Sequence, residues 1–167
     1  MTPLRLDRFP SPLGVLLLVY DEAGRLRALD FEDYEHRLGR LLARHYGEVA
    51  LTEAPAPQAI TEALCAYFAG DFAALDSIEI ETGGTPFQRA AWAALRRIPP
   101  GATRSYADQA AAIGRPKAVR AVGLANGANP IAIVTPCHRV IGADGSLTGF
   151  GGGLHRKRWL LEHEGAL

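Results

Sequence analysis

The chain has 167 residues, 48% hydrophobic and 22% charged, so it can form one ordinary domain or two small ones around a buried core. Its two cysteines exclude a disulfide framework and no Cys/His cluster is spaced for zinc, so a cytoplasmic protein without metal is expected. Residues 1–80 carry 7 basic and 13 acidic side chains, whereas residues 81–167 carry 11 basic and 5 acidic ones. This asymmetry predicts a basic second half that binds a polyanion. Alternatively, the two oppositely charged halves attract each other.

Three strands are predicted at the start, over PLRLDRF, GVLLLVYD and GRLRALDFE, with turn signals between them. Such short connections predict a three-stranded antiparallel sheet. The apolar run at residues 13–20 is too short to span a bilayer and has no basic segment before it, so no membrane association is expected.

Two amphipathic helices follow, over DYEHRLGRLLARHY and PQAITEALCAYFAG, and the second is predicted to end at Gly70. Cys65 lies in the middle of the second helix beside Leu64, which favours a buried structural thiol. The segment SIEIE is predicted to be a further short strand, and TGG at residues 82–84 is the best linker candidate.

The second half begins with TPFQ, in which Thr85 is the predicted N-cap of a helix and Gln88 closes a capping box. A second capping box, Ser105 with Asp108, begins a helix of about two turns that ends at Gly114. Another helix is predicted to start at Pro116, so the segment has the helix-turn-helix pattern. The closing segment GLHRKRWLLEHEG is predicted to be a helix that buries Leu154, Trp159 and Leu161.

The second helix of this pattern combines small and basic residues. Small side chains let a backbone approach another surface closely, and arginines suit phosphates and bases. A packed core helix could also be small, but it would not place three cations nearby. The small residues are Ala118, Ala121, Gly123 and Ala125, and the basic ones are Arg115, Lys117 and Arg120.

The segment IVTPCHRVIG places Cys137 directly before His138. Neighbouring side chains on a strand point to opposite faces, so either the pair is packing or the backbone turns to bring both groups to one pocket. Beside histidine and arginine the pKa of a thiol falls, and an acid that braces the histidine completes the usual arrangement for activating it. From the spacing alone, a reactive and a structural Cys137 are equally supported.

The segment NPIAIVTPCHRVIG closely resembles the active-site signature of the O6-alkylguanine-DNA alkyltransferases, also called methylated-DNA–protein-cysteine methyltransferases. The segment from FQRAAWAALRR to GLANGANP is similar to the DNA-binding part of that family, and WLLEHEG to its closing helix. SPLGVLLLVYDEAGRLRALDF is similar to the start of its N-terminal domain. The resemblance covers nearly the whole chain.

The resemblance implies an α/β (α+β) fold with two domains. Residues 1–81 would form a ribonuclease-H-like scaffold, and residues 82–167 a mostly helical domain with a winged helix-turn-helix-like motif. The implied activity is single-turnover repair, in which the alkyl group of O6-alkylguanine, and also of O4-alkylthymine, moves to the protein's own cysteine after the nucleotide is flipped out. It implies no cofactor, and a monomer that binds alkylated duplex DNA through the minor groove, with cooperative clustering left open.

The resemblance also assigns roles to residues. Cys137 would be the nucleophile, His138 would take its proton through a water molecule, and Glu164 would orient the imidazole. Tyr106 would donate to the base, and Arg120 would fill the stack that the flipped base leaves. The remaining assignments are a link between the recognition helix and the active-site segment (Asn129), the DNA surface (Arg115, Lys117, Ala118, Ala121 and Gly123) and the base pocket (Val140, Phe150 and Gly151).

Two positions depart from the family pattern. Many relatives have tyrosine where this chain has Phe150, and often a polar residue where it has Gly151. Loss of a hydroxyl removes one polar contact to the base, and glycine leaves more room. The range of alkyl groups accepted is therefore open.

Three of these residues, each taken singly, also have an explanation that involves no catalytic role. Tyr106 could be a core residue, Asn129 a turn former before proline, and Glu164 a solvated carboxylate. Three other functions also compete: a lesion-binding protein without chemistry, a helix-turn-helix regulator and a Cys–His hydrolase. The presence of Cys137 argues against the first, since alkyltransferase-like proteins lack that cysteine. No dimerisation element supports the second, and the DNA-facing helix fits the third poorly.

Overall fold

The computed structural model describes all 167 residues and divides them into two compact units. The first comprises residues 1–83 and 130–134, and the second comprises residues 84–129 and 135–167. None of the helices is both long and apolar enough to cross a membrane.

The first unit contains a four-stranded sheet in the order β3-β2-β1-β4. Its strands are β1 (Thr2–Ser11), β2 (Gly14–Tyr20), β3 (Leu26–Phe31) and β4 (Val49–Glu53). The first three form the predicted antiparallel meander, while β4 pairs parallel with β1. The prediction of three strands was therefore one short, because β4 is a short edge strand without a buried, alternating face that a sequence pattern could reveal.

Two helices accompany the sheet, α1 (Glu35–Tyr46) and α2 (Gln58–Phe68). Short 3₁₀ helices occupy Glu32–Tyr34 and Phe72–Ser77. A buried core cluster joins side chains of β1, β2, β3 and α1: Leu4, Leu6, Leu17, Val19, Ala28, Leu38 and Leu42.

Two predictions for this unit were wrong. Cys65 is exposed on α2, because the buried face of that helix runs through Ile60, Ala63, Leu64 and Tyr67. The segment SIEIE forms no strand and makes only a single bridge between Ile80 and Leu26. Apolar residues alternate there as in a strand, but further along β3 the backbone of Leu29 pairs with the segment around Ile131.

The second unit opens with α3 (Pro86–Arg96), and the predicted capping box is confirmed. The Gln88 N–H donates to Thr85 Oγ1 at 3.1 Å, and the Thr85 N–H donates to Gln88 Oε1 at 3.0 Å. Gly84, with φ of 95°, precedes the cap, and a Cβ there would lie 2.8 Å from the Trp92 ring. Only glycine fits this entry into the helix.

The helix-turn-helix consists of α4 (Tyr106–Ala112) and α5 (Val119–Gly127). The Ser105–Asp108 capping box begins α4, as predicted. The prediction that α5 starts at Pro116 was wrong by three residues, because residues before Val119 form a turn in which the Ala118 N–H donates to Arg115 O.

The unit closes with α6 (Leu154–His163), after a 3₁₀ turn at Cys137–Arg139 and the two-residue strand β6 (Val140–Ile141), which pairs with β5 (Arg104–Ser105). Leu161 is buried as predicted, whereas Trp159 is half-buried and Leu154 is exposed. The inward face of α6 instead includes Lys157, which is completely buried.

A candidate active site around Cys137

The local backbone conformation explains how the adjacent Cys137 and His138 side chains are arranged. Residues Cys137–Arg139 form one 3₁₀ turn and no strand, so their side chains diverge by about a third of a circle. Cys137 is half-buried and packs against an apolar cluster. The cluster is formed by α3, the start of β6 and residues just after α3 and α5: Trp92, Leu95, Ile98, Ala128 and Val140. His138 is fully buried.

A buried carboxylate connects the two residues that follow the thiol. Glu164, at the C-terminal end of α6, accepts a hydrogen bond from His138 Nε2 at 2.8 Å. It also accepts two from Arg139, from Nε at 2.8 Å and from Nη2 at 3.0 Å. Arg139 further donates from Nη1 to Ile98 O at 2.7 Å, which anchors the turn to the segment that follows α3.

This network fixes the state of the imidazole. A carboxylate can only accept, so Nε2 of His138 carries the proton and Nδ1 presents a lone pair. Nδ1 is buried and has no hydrogen-bond partner in the protein. A buried basic atom without a partner is costly, and in an active site it is a ready proton acceptor.

Burial and pairing set the charges of the network. Burial lowers the pKa of His138, and the hydrogen bond to Glu164 opposes this shift. Burial would raise the pKa of Glu164, but hydrogen bonds from His138 and Arg139 lower it to about 2. Near neutral pH the carboxylate is therefore ionised and the imidazole neutral.

Lys157 is a second buried cation in this region. Its Nζ donates to Val140 O at 2.6 Å and to Thr148 O at 2.7 Å. Burial lowers the pKa of Lys157 to about 8, whereas the electrostatic interaction with Cys137 raises it. The lysine thus joins two backbone segments beside the thiol.

Tyr106 begins α4 and packs against the same apolar cluster as Cys137. Its hydroxyl donates to Thr148 O at 3.3 Å, and a Cβ at Gly149 would lie 3.6 Å from that hydroxyl oxygen. Phe150 is half-buried and Gly151 exposed in the loop that follows. The structure thus brings Tyr106 to the segment that leads to Phe150 and Gly151.

Asn129 is buried, and its Nδ2 donates to Thr135 O at 2.9 Å, two residues before the thiol. Asn129, which follows Ala128 just after α5, is therefore hydrogen-bonded to the active-site segment. It makes no hydrogen bond to the His138–Glu164 pair.

The cations of the helix-turn-helix are on the surface and outside the thiol site. Arg115 and Lys117 lie in the turn before α5, and Arg120 lies in its first turn; all three are exposed and none is in an ion pair. Ala121 is exposed, whereas Ala118 and Gly123 are half-buried. Such a surface is suited to the phosphates of a nucleic acid.

Sequence reasoning missed four residues that hold this unit together. Arg139 was considered only for its effect on the thiol and Lys157 only as a positive charge, although Lys157 is spaced three and four residues from the buried Leu160 and Leu161. That spacing is a signal for a buried face. The other two are Gln109 and Asn126, whose side-chain amides exchange two hydrogen bonds of 2.8 Å between α4 and α5.

Fold and site together are those of a protein that works on DNA through one cysteine. The chain belongs to the 6-O-methylguanine DNA methyltransferase family: residues 5–82 match the model of its ribonuclease-like domain and residues 86–166 that of its DNA binding domain. The family resemblance drawn from the Pro-Cys-His-Arg motif is confirmed, as is the mixed α/β fold.

Curated relatives and solved structures agree with this assignment. The methylated-DNA–protein-cysteine methyltransferase of Salmonella typhimurium is 52% identical over 163 residues, 96% of this chain and 95% of the relative. The protein of that name from Methanosarcina acetivorans is 45% identical over 158 residues, 95% and 96% of the two chains. The Mycobacterium tuberculosis OGT solved in complex with DNA has a TM-score of 0.81 and 43% identity, covering 98% of this chain and 93% of that one.

Proposed function

We propose that this protein repairs DNA by moving the alkyl group of O6-alkylguanine, and also of O4-alkylthymine, to Cys137. The observation that carries the proposal is the unpartnered, buried Nδ1 of His138, next in sequence to a half-buried thiol and held by Glu164. Membership of the methyltransferase family supports the same reaction.

The chemistry follows from the network. The Cys137 thiol loses its proton towards His138 Nδ1, the one ring nitrogen with a lone pair, through a bridging water. The thiolate lone pair forms a bond to the alkyl carbon while the carbon–O6 bond breaks and its electron pair stays on the guanine. Guanine regains one proton, for which Tyr106 serves as a donor. The product is a thioether, so each molecule acts once and no cofactor is consumed.

DNA reaches the site through the helix-turn-helix. We infer that α5 enters the minor groove, because Ala121 and Gly127 keep part of its exposed face small and the exposed cations around its start can contact phosphates. The same face also carries Leu124, which is 73% exposed and adds apolar surface suited to a groove. Arg120 then occupies the stack that the flipped nucleotide leaves, and Val140, Phe150 and Gly151 receive the base. Residues 82–167 carry the chemistry and residues 1–81 serve as the scaffold.

We also propose a location, an oligomeric state and a mode of DNA binding for the whole protein. It works as a cytoplasmic monomer, and clustering along DNA would follow from contacts between neighbouring copies. Because phosphates provide most of the affinity, we expect little sequence preference and binding that weakens steeply with salt.

The experiment is intact mass after incubation with a duplex that holds one O6-methylguanine. One added methyl group, mapped to Cys137 and saturating at one per molecule, is expected. Cys137→Ser should gain nothing, and Cys65→Ser, which removes the exposed second thiol, should gain one methyl group like the wild type. Binding of the lesion without any mass change would instead make the protein a damage-recognition factor.

A further inference from the structure

Lys157 is a buried charge that the reaction described above does not use. The side chain lies on the inward face of α6 with 0% of its surface exposed. Both of its hydrogen bonds end on backbone carbonyls, Val140 O at 2.6 Å and Thr148 O at 2.7 Å, and it forms no salt bridge. Carbonyls solvate an ammonium group but do not neutralise it, so the positive charge is buried without a counter-ion.

The carboxylate nearby is already neutralised. Glu164 holds Arg139 through both of its oxygens and accepts from a neutral His138. The other groups of the region do not supply a negative charge: Arg156, on α6, donates to Gly152 O at 3.1 Å, and Tyr106 is a phenol. Val140, whose carbonyl binds the Lys157 ammonium, packs in the same cluster as Cys137. The negative charge available to Lys157 is therefore the one that Cys137 can acquire.

We propose that Lys157 is the built-in counter-charge of the Cys137 thiolate and a positioning residue that fixes the backbone at Val140 and Thr148. This inference rests on the proposed function and adds to it a residue that stabilises the attacking state. The thiol proton passes to His138 Nδ1 as described above. Because the same positive charge lowers the pKa of that imidazole, Lys157 stabilises the thiolate and not the imidazolium.

The charge balance changes during the reaction. Before the attack, the ammonium and the thiolate cancel each other. The sulfur lone pair then forms the carbon–sulfur bond, the electron pair of the broken carbon–O6 bond leaves with the guanine, and the thioether is neutral. Lys157 therefore stabilises the nucleophile and not the product.

The test compares Lys157→Gln with Arg158→Gln, a matched control on the same helix whose side chain is 61% exposed. Both are made in the Cys65→Ser background, so that iodoacetamide reports Cys137 alone. The rate of Cys137 alkylation by iodoacetamide and by the O6-methylguanine duplex is measured across pH.

We expect Lys157→Gln to raise the pKa of the Cys137 thiol, read from the midpoint of the pH profile, by about one unit. The rate should then fall about tenfold at pH values well below both midpoints and recover at high pH. Arg158→Gln should keep the wild-type profile. A rate lowered equally at every pH would mean that the lysine only holds the backbone, and it would overturn the counter-charge. Absence of methylation in the parent protein at every pH would instead contradict the proposed function itself.

A second measurement covers the case in which Lys157→Gln does not fold. The Lys157 Nζ is followed by ¹⁵N NMR as a function of pH in the wild type and in Cys137→Ser. Since the coupling is reciprocal, the pKa of Lys157 should be lower when the thiolate is missing. Equal values in the two proteins would overturn the proposal.

Discussion

Replacing Glu164 by glutamine removes one charge and keeps the size of the side chain. The carboxylate accepts one hydrogen bond from His138 and two from Arg139, each of 2.8–3.0 Å. A glutamine amide accepts through its oxygen only, so in either orientation its NH₂ group faces a donor. The Arg139 guanidinium, with 6% of its side chain exposed, would also lose its counter-ion.

Breaking a buried ion pair in this way costs about 3–5 kcal/mol of the free energy of unfolding. For a chain of this length each kcal/mol lowers the Tm by about 2–4 °C, so a decrease of roughly 6–20 °C is expected. Thermal and denaturant unfolding at about pH 7 measure the effect. Glu162→Gln is the matched control, because Glu162 is 54% exposed and 3.8 Å from Arg158; it should cost less than about 1 kcal/mol.

The difference in stability between the wild type and Glu164→Gln should also depend on pH. The folded-state pKa of Glu164 is about 2, below its ordinary value of 4.5. Its contribution to stability is therefore fully present above pH 4.5 and is lost as the pH falls towards 2. The gap between wild type and Glu164→Gln should narrow at about pH 3. The reasoning is refuted by a Glu164→Gln protein as stable as Glu162→Gln, or by a gap that does not change with pH.

Three further substitutions test other parts of the second unit. Thr85→Ala removes the N-cap of α3 and should lower the free energy of unfolding in urea by about 0.5–2 kcal/mol, while an unchanged stability would show that the cap contributes nothing. Asn126→Ala leaves the buried amide of Gln109 with one partner fewer and should cost about 1–3 kcal/mol; an unchanged Tm would contradict this. Arg120→Ala should slow methyl transfer from duplex DNA about tenfold and leave the reaction with the free base O6-methylguanine unchanged. If both reactions were slowed equally, Arg120 would lie outside the DNA interface.

Local signals in the sequence predicted the parts of the fold that depend on near neighbours. The capping boxes at Thr85 and Ser105 were readable because their partners lie three residues away. The meander was readable because its strands are joined by tight turns. Strand β4 was missed because its pairing is with β1, far away in sequence, and its exposed residues carry no periodic pattern.

The candidate site depended on contacts that no local pattern contains. Glu164 lies 26 residues after His138, so only the family resemblance paired them. The backbone conformation of Ile133 could not be predicted from the sequence either. Its φ of 70° is left-handed, which a β-branched residue rarely adopts. Such strain is imposed by the surrounding packing and has no signature in the residue itself.

The groups that prepare Cys137 come after it in the chain. A protein is made from its N-terminus, so Cys137 is synthesised before Lys157 and before Glu164. Without Glu164, His138 has no acceptor for its Nε2 proton, and Arg139 has no carboxylate to hold the turn. A growing chain that has not reached residue 164 therefore lacks the buried network around His138. In the proposed mechanism, the activated thiol would form only once α6 has folded against the turn, at the end of the synthesis of a protein that reacts only once.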